Sequence, residues 1–548
     1  MRRYYPGMSQ LPRPHDGNHG VDLAGVDLFL STIADAGIEL HSFMLVKDGI
    51  VASEGWWSPY DAETPHLLYS LSKSFTSVAA GIAEGEGLLQ MTDLLSEHLP
   101  EAADYGAATI ADALRMSVGH LTDPVLDPSA PALPPTTETF SALLSSYAPE
   151  RAPGEYFTYD QLATFAVAKI VEKVSGVSLL EYLRPRLLDP LGITEAKWAG
   201  EAGNLGFTGL YLTTESIAAF GQLLLQGGAW EGVQLIPAGW LRHATTVRMP
   251  NDSAHRFPPG QPVEQDSGLG YGYQFWIGDH GYHAGGAYSQ LCIVLPHHNA
   301  VLAVTASTVF GQPVLDAVWD VLLPTLDAGS PSATEPSVAH HSPLQLAIPA
   351  PVAGLTSVAR MASRAAAATV AAAVVAVHGD DAPAGWAELV PQAERLTETA
   401  LAAYAAARTK AEPLSPASTR DVSEVLFHRA RPDGPHPAVR FGGLGGTDLP
   451  ELEAVRLQGD TLVWVLDENE VLVPAGSERW IRTDLPGEPA LPIVVRGGWA
   501  SAGTAEFEVR MIEGPHVGYL ELDPAAATFT FVWREPTLVG RGLEGYRV

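Results

Sequence analysis

The first part of the chain alternates between helical and strand-like patterns of apolar residues. Apolar positions from Val21 to Ala36 recur with the spacing of a helix that buries one side. Two apolar runs follow, Phe43–Lys47 and Ile50–Ala52, and the dipeptide Asp48-Gly49 separates them. Because Asp-Gly between two apolar runs is a strong signal for a tight hairpin, the sequence predicts a helix followed by an antiparallel β-hairpin. This order favours an α+β fold over a doubly wound parallel sheet.

Changes of composition along the 548 residues predict four segments. Residues 1–328 mix helical and strand patterns and form the predicted catalytic domain. Residues 329–343 are rich in Gly, Ser and Pro, a composition typical of a linker. Residues 344–418 are alanine-rich with helical spacing, and residues 419–548 consist of short alternating runs.

Alternation is clearest in two runs near the end of the chain. Phe507, Val509 and Met511 alternate with polar or charged residues, and Phe529, Phe531 and Trp533 are also spaced two apart. Period two with one apolar face is typical of a strand that is buried on one side. We therefore expect a C-terminal antiparallel β domain.

Charge and cysteine content narrow the function classes. The chain has 63 acidic and 32 Lys or Arg residues, for a formal charge of −31. A surface this acidic repels phosphate backbones and anionic lipids, so we expect neither a nucleic-acid nor a membrane partner. A single cysteine, Cys292, excludes an intramolecular disulfide and a multi-cysteine zinc site, and its apolar neighbours predict a buried strand residue. With no apolar run of about 18 residues and no secretory signal pattern, we expect a cytoplasmic protein. We expect no metal or other cofactor, and the oligomeric state is left open, a homo-oligomer included.

One candidate for chemistry is the pair Ser70 and Lys73, at the predicted start of a helix that ends near Gly85–Gly87. Residues three apart lie on one face of a helix. A serine hydroxyl needs a base to become a nucleophile, and a lysine desolvated among small and apolar residues can lose its charge and serve as one. Taken alone, the pair fits equally well an N-cap serine and a solvated lysine.

Two further fragments carry weaker signals. Tyr159 and Gln161 precede a helical stretch that runs to Gly176, and a tyrosine at the mouth of a helix can shuttle protons if cations lower its pKa. His283, Gly285 and Gly286 lead into the apolar run around Cys292. Small residues there let a substrate lie along a strand edge, and a backbone N–H can donate to an oxyanion. Taken singly, Tyr159 also fits a core aromatic residue and His283 a surface turn.

The order of the three fragments resembles that of serine β-lactamases and penicillin-binding proteins. The sequence that flanks these fragments is most similar to the class C branch and its esterase relatives, in the runs Ala111–His120, Asp189–Ile193, Gly209–Thr214 and Phe220–Leu224. The resemblance covers about residues 20–325. It implies an antiparallel sheet flanked by helices, an all-helical subdomain, and a site between them. The final β-rich zone looks like the C-terminal domain appended to some longer relatives.

The resemblance also implies roles for individual residues. Ser70 would be the acylated nucleophile, Lys73 its base, and Tyr159 the proton shuttle to the leaving group and later the activator of the deacylating water. The backbone N–H groups of Ser70 and Gly286 would form the oxyanion hole. Gln161, His283 and Gly285 would contact the substrate.

Two departures from the family pattern bear on the substrate. Gln161 stands where Asn is usual, and His283 stands where β-lactamases commonly have Lys. A mostly neutral imidazole attracts a carboxylate less than a permanent cation does, so the sequence favours small neutral esters or amides over penicillins. The alternatives are a β-lactamase or D-amino-acid peptidase, a catalytically silent ligand-binding protein, and an acyltransferase that uses the same residues.

Overall fold

A computed structural model of the chain describes the residues in the following ranges: 11–14, 21–126, 136–199, 203–252, 254–255, 269–308, 311–327, 425–429, 449, 451–466, 468–477, 479–487, 490–499 and 503–534. The chain divides into two compact units, one built mainly from residues 1–344 and the other mainly from residues 345–546. The predicted linker and alanine-rich segment lie outside the described residues. None of the helices that are described is long and apolar enough to cross a bilayer.

The first unit combines short and medium helices with short and long strands. Its described α-helices are α1 (Leu23–Asp35), α2 (Ser72–Gly85), α3 (Leu95–His98), α4 (Ile110–Leu114), α5 (Thr137–Ser146), α6 (Gln161–Ser175), α7 (Leu179–Leu183), α8 (Thr214–Leu225), α9 (Ala238–Ala244), α10 (Gln312–Ala317) and α11 (Leu323–Asp327). Its described strands are β1 (Glu39–Lys47), β2 (Ile50–Trp56), β3 (His66–Leu67), β4 (Lys197–Trp198), β5 (Leu210–Leu212), β6 (Ala229–Trp230), β7 (Val233–Gln234), β8 (Gly270–Tyr271), β9 (Trp276–Gly278), β10 (Gly281–Gly286), β11 (Gln290–Leu295) and β12 (Ala300–Ser307).

The predicted helix and hairpin open the first unit. The helix predicted from Val21 to Ala36 is α1, and Asp22 caps it by accepting from the Ala24 N–H. Strands β1 and β2 pair across Asp48 and Gly49, whose φ angles are +54° and +77°. Two successive positive φ angles match the right-handed twist of the strands, which is why Asp-Gly forms this turn.

A seven-stranded antiparallel sheet lies at the centre of the first unit, in the order β2-β1-β12-β11-β10-β9-β8. Its central strands are buried on both faces, and every residue of β11 and β12 is buried. Leu291 and Ile293 pack with α1 on one face, whereas Cys292 points to the other face and its thiol contacts the Ile217 carbonyl of α8. The predicted buried strand position of Cys292 is thus confirmed.

Close packing of α8 on the sheet depends on one glycine. A Cβ on Gly221 would lie 2.5 Å from Val301 Cγ1 and 2.8 Å from Cys292 Sγ. The helices between β3 and β4, from α2 to α7, form the helical part of the unit, and α2 and α6 pack against each other within it. The α+β fold with an antiparallel sheet, flanking helices and a helical subdomain is therefore confirmed.

The second unit is a β domain. Its described strands are β13 (Phe427–Arg429), β14 (Leu452–Gln458), β15 (Thr461–Leu466), β16 (Asn469–Pro474), β17 (Ile481–Leu485), β18 (Leu491–Trp499), β19 (Ala505–Met511), β20 (Val517–Asp523) and β21 (Thr528–Trp533). They form one sheet in the order β16-β15-β14-β13-β21-β20-β19-β18-β17.

The alternating runs of the sequence form strands of this sheet. The alternating residues Phe507, Val509 and Met511 of β19 and Phe529, Phe531 and Trp533 of β21 enter one core that also contains Trp464 and Trp499. Neighbouring strands are antiparallel except β13 and β21, which run parallel. The C-terminal β domain is confirmed, with this one parallel pair as a difference from the prediction.

Candidate active site

Ser70 lies in a short 3-10 turn, Tyr69–Leu71, that leads directly into α2. The predicted helix therefore begins as a 3-10 turn, and its α-helical part begins at Ser72. Because a 3-10 turn has three residues per turn, this geometry favours the alignment of residues i and i+3. Tyr69 has a φ of +48°, a conformation that non-glycine residues rarely adopt and that marks a sharp change of chain direction just before the half-buried Ser70.

Helix α2 is buried on nearly all sides, although its first half is polar. Its hydroxyls are satisfied by backbone carbonyls of neighbouring segments: Ser74 donates to Gln274 O, Thr76 to Gly206 O and Ser77 to Tyr273 O, at 2.7, 2.7 and 2.6 Å. Buried polar groups are tolerated when they are hydrogen-bonded in this way. These contacts fix the helix on which Lys73 stands.

Lys73 is 1% exposed, and its ammonium position is surrounded by oxygen atoms. Nζ lies 2.9 Å from Ser70 Oγ, 2.5 Å from Gln161 Oε1 and 2.9 Å from the Phe207 carbonyl oxygen. In the part of the chain that the structure describes, no carboxylate lies within ion-pair distance of Nζ. Burial lowers the pKa of Lys73 from its ordinary value near 10.5, while the charges of Asp123 and Asp160 act in the opposite direction.

Tyr159 lies on the other side of Ser70. Its hydroxyl hydrogen-bonds to Ser70, and its ring centroid lies 5.0 Å from Lys73 Nζ. Burial raises the pKa of Tyr159, so the condition considered from the sequence, a pKa lowered by cations, is not met. At neutral pH Tyr159 is therefore a phenol. It must donate its proton before it can accept one.

An aromatic cluster that the sequence analysis did not identify holds the Tyr159 ring. Trp276 of β9 lies parallel to it, with ring centroids 5.7 Å apart and planes inclined by 6°. Phe157 and Tyr271 pack edge-on or tilted against Trp276. Parallel offset and edge-to-face contacts restrict ring orientation, so the cluster aims the phenol at Ser70.

Strand β10 borders the site with His283, Gly285 and Gly286. Burial lowers the pKa of His283 to about 4, so its imidazole is neutral at physiological pH. A Cβ on Gly286 would lie 2.1 Å from the Leu68 carbonyl oxygen and 3.2 Å from Leu71 N, whereas the nearest atom to a Cβ on Gly285 is 3.4 Å away. Only glycine at 286 lets β10 approach the turn that carries Ser70.

Two aspartates near Lys73, the buried Asp160 and the half-buried Asp123, were also not singled out from the sequence. Asp160 caps α6 by accepting from the Ala163 N–H at 3.1 Å and binds His120 Nδ1 at 2.6 Å. Asp123 Oδ1 accepts from the N–H groups of Val125 and Gln161, at 3.0 and 3.3 Å. The one available signal was Asp160 immediately before an apolar helical run, which is typical of an N-cap.

The structure brings together five of the seven predicted site residues, namely Ser70, Lys73, Tyr159, Gln161 and Gly286, and it places His283 and Gly285 on the same strand, β10, as Gly286. Ser70, Lys73, Tyr159 and Gln161 are joined directly or through Lys73 Nζ. Among the described residues there is no group of three His, Cys, Asp or Glu side chains that could hold a metal ion. The arrangement offers a hydroxyl, a buried amine, a phenol and backbone N–H groups close together, which are the components of acyl transfer to serine.

Comparison with known proteins identifies a protein family for the region that contains these residues. The family model described as "Beta-lactamase" matches residues 33–326, more than half of the chain. A curated relative, 6-aminohexanoate-dimer hydrolase of Paenarthrobacter ureafaciens, is 24% identical in an alignment of 221 residues that covers 36% of this chain and 55% of the relative. The chain therefore spans about half the length of that relative.

Two solved structures are also similar to the chain. A penicillin-binding protein from Bacillus halodurans shares 18% identity, with a TM-score of 0.44 over 53% of this chain and 99% of the other. The octameric penicillin-binding protein homologue from Pyrococcus abyssi shares 14% identity, with a TM-score of 0.46 over 90% of this chain and 97% of the other.

Proposed function

The chain belongs to the Beta-lactamase family, and from this premise we propose that it is a serine hydrolase that cleaves small esters or amides through an acyl-enzyme on Ser70. Membership of a hydrolase family supports an enzyme. The assignment of Ser70, Lys73 and Tyr159 to catalytic steps is our proposal.

The hydrogen bonds of Lys73 carry this proposal. A neutral amine has two N–H donors and one lone pair, whereas an ammonium has three donors and cannot accept a proton. Gln161 Oε1 and the Phe207 carbonyl oxygen are acceptors only, and they use two donors. The third neighbour, Ser70 Oγ, accepts from Nζ in the ammonium form and can donate its own proton to the lone pair in the free-amine form. The environment therefore suits a free amine that faces a hydroxyl.

The proposed acylation follows from these positions. Lys73 Nζ takes the proton of Ser70 as Oγ attacks the substrate carbonyl carbon, and the carbonyl oxygen becomes an oxyanion that the N–H groups of Ser70 and Gly286 bind. Tyr159 then donates its proton to the leaving oxygen or nitrogen, and the Lys73 ammonium returns a proton to Tyr159. The bond to the leaving group breaks and the acyl group stays on Ser70.

Deacylation reverses the proton transfers with water as the nucleophile. Water gives a proton to the base formed by Lys73 and Tyr159 and attacks the acyl carbon. Ser70 leaves with that proton, which restores the resting site.

The uncharged side chain of His283 supports a neutral substrate. The pKa of this histidine is lowered to about 4 by burial, so it brings no positive charge to the cleft at neutral pH. The curated relative is named as the hydrolase of a 6-aminohexanoate dimer, which supports amides alongside esters within this proposal. A carboxylated β-lactam would lack a cationic partner at this position.

Covalent labelling tests the nucleophile. The intact protein is treated with an alkyl fluorophosphonate, digested and examined by mass spectrometry. We expect one adduct, on the peptide that contains Ser70, and none in the Ser70→Ala variant. Ser145→Ala, at an exposed serine of α5, is the matched control and should label like the wild type. Active protein that carries no adduct on Ser70 would refute the assignment.

Turnover separates this proposal from its alternatives. We expect a nitrophenyl ester or anilide to be hydrolysed faster than a chromogenic cephalosporin or a D-amino-acid amide. Dominant cephalosporin turnover would identify a β-lactamase, and stoichiometric labelling without turnover would identify a ligand-binding protein. Transfer of the acyl group to an added alcohol in preference to water would identify an acyltransferase.

A further inference from the structure

Asp123 is a buried carboxyl group that the proposed proton transfers do not use. Its Oδ1 accepts from the N–H groups of Val125 and Gln161. Its Oδ2 is buried and has no hydrogen-bond partner within the described part of the chain. A buried carboxylate oxygen without a donor is unfavourable, because it gives up water and receives nothing in return.

Gln161 connects Asp123 to the proposed base. The backbone N–H of Gln161 donates to Asp123 Oδ1, and the side-chain Oε1 of the same residue accepts from Lys73 Nζ at 2.5 Å. Gln161 is the first residue of α6, so the helix start fixes its backbone, and the contact with Lys73 Nζ holds its side chain. Asp123 is therefore linked to the Lys73 amine through Gln161, and both its Oδ2 atom and Lys73 are buried.

The other charged or titratable groups around this pair do not neutralise it. Asp160 adds a second negative charge but is bound by His120, and the edge of His120 contacts Tyr105. Tyr159 faces the pair as a phenol. Glu150 acts on His120 and Tyr105 from farther out. Lys73 is thus the cation on which the charge state of Asp123 acts most directly.

We propose that Asp123 is a positioning residue that sets the protonation state of Lys73. The inference rests on the proposed function, since it concerns the base for Ser70. When Asp123 is ionised it stabilises the ammonium form of Lys73, and when it is protonated it favours the free amine. Burial and the nearby charge of Asp160 raise the pKa of Asp123, which brings its titration towards that of Lys73. The two groups then titrate as a pair.

The pair has a distinct kinetic signature. Labelling of Ser70 requires the free amine, so its rate rises with pH along an acidic limb. In the wild type, Asp123 ionises as the pH rises, and its negative charge holds the proton on Lys73. The labelling rate therefore rises over a wider pH range than the titration of one group would give. In Asp123→Asn the negative charge is absent. The acidic limb of the labelling rate should then move to lower pH by about one unit and fit the titration of one group. At a fixed pH on that limb, labelling should be about tenfold faster.

The experiment measures the rate of labelling by an uncharged alkyl fluorophosphonate between pH 4 and 10 on the full chain. Asp123→Glu, which keeps the acid, should bring the midpoint back towards that of the wild type. Asp104→Asn, at an exposed aspartate, is the matched control for loss of one negative charge and should leave the midpoint unchanged. A purely structural role would lower the unfolding temperature of Asp123→Asn without moving the limb.

The outcomes distinguish this inference from the proposed function. If wild-type Ser70 is not labelled at any pH, the proposed function fails. If Ser70 is labelled and Asp123→Asn keeps the wild-type midpoint, only the role of Asp123 fails. If Asp123→Asn does not fold, the shape of the wild-type limb decides: a limb that fits one titrating group overturns the inference, and a stretched limb supports it.

Discussion

Replacement of Gly286 by alanine should disable the site through a single methyl group. The φ of Gly286 is −125° and its ψ is 161°, so alanine can adopt the backbone without strain. The obstacle is space, because the new Cβ would lie 2.1 Å from the Leu68 carbonyl oxygen. That oxygen belongs to the backbone two residues before the proposed nucleophile. The clash can be relieved only if β10 and the Ser70 turn move apart.

The size of the effect follows from the required movement. An unstrained carbon–oxygen contact needs about 3.2 Å, so the two segments must separate by about 1 Å. A displacement of about 1 Å at reacting groups costs roughly 100-fold in rate, and loss of one oxyanion donor costs about 3 kcal/mol. We expect kcat to fall by about 100- to 1,000-fold, and overpacking to reduce the unfolding free energy by about 1–3 kcal/mol.

Steady-state ester hydrolysis and thermal unfolding of the variant measure these two effects. Gly285→Ala is the matched control for stability, because the nearest atom to its new Cβ lies at an ordinary contact distance of 3.4 Å. It should unfold at the wild-type temperature. If the Gly286→Ala protein has a kcat within threefold of wild type, catalysis does not require the close approach of β10 to the Ser70 turn.

Four other changes probe the site. Lys73→Met should lower the rate of Ser70 labelling by about 100- to 10,000-fold, because the base is lost, and a change below tenfold would contradict its role. Tyr159→Phe should slow an anilide more than a nitrophenyl ester, since the poorer leaving group needs the proton; equal effects on kcat would count against proton donation. Burial lowers the pKa of His120, but the Asp160 carboxylate, the Tyr147 carbonyl and Glu150 together outweigh burial and raise it. The stabilising effect of His120 is therefore present below pH about 6.5 and is lost as pH rises through the folded pKa. The unfolding free energy of His120→Asn should therefore lie about 3 kcal/mol below wild type in acid and approach it in base, and a pH-independent difference in unfolding would oppose this. His283→Lys should lower KM for a carboxylated lactam about tenfold by adding a charged hydrogen bond, and an unchanged ratio of lactam to ester KM would exclude a carboxylate subsite there.

The residues that local pattern could identify are those whose chemistry follows from spacing along the chain. Ser70 and Lys73 are three apart at a helix start, and the helix itself aligns them. Asp48-Gly49 gave the hairpin because the turn needs only those two backbone conformations. The alternation around Phe507 gave a strand of the β domain for the same reason, since one face of a sheet repeats every second residue.

The residues that the sequence did not reveal act across long separations. The Phe207 carbonyl that fixes Lys73 lies 134 residues along the chain from it, and no local pattern marks a backbone oxygen. Trp276 of β9 stacks on Tyr159 although the two residues are far apart along the chain. The direction of the Tyr159 pKa shift could not be predicted from the sequence, because it depends on burial, which is a property of the assembled fold.

The single cysteine has a practical consequence for spectroscopy. Cys292 is fully buried beneath α8, and burial raises the pKa of its thiol to about 12. Maleimide reagents react with the thiolate, so the native protein should remain unmodified while folded. A cysteine placed at one exposed position would then accept a spin label or fluorophore alone, and pairs of such positions would report distances in solution with the wild-type core left intact.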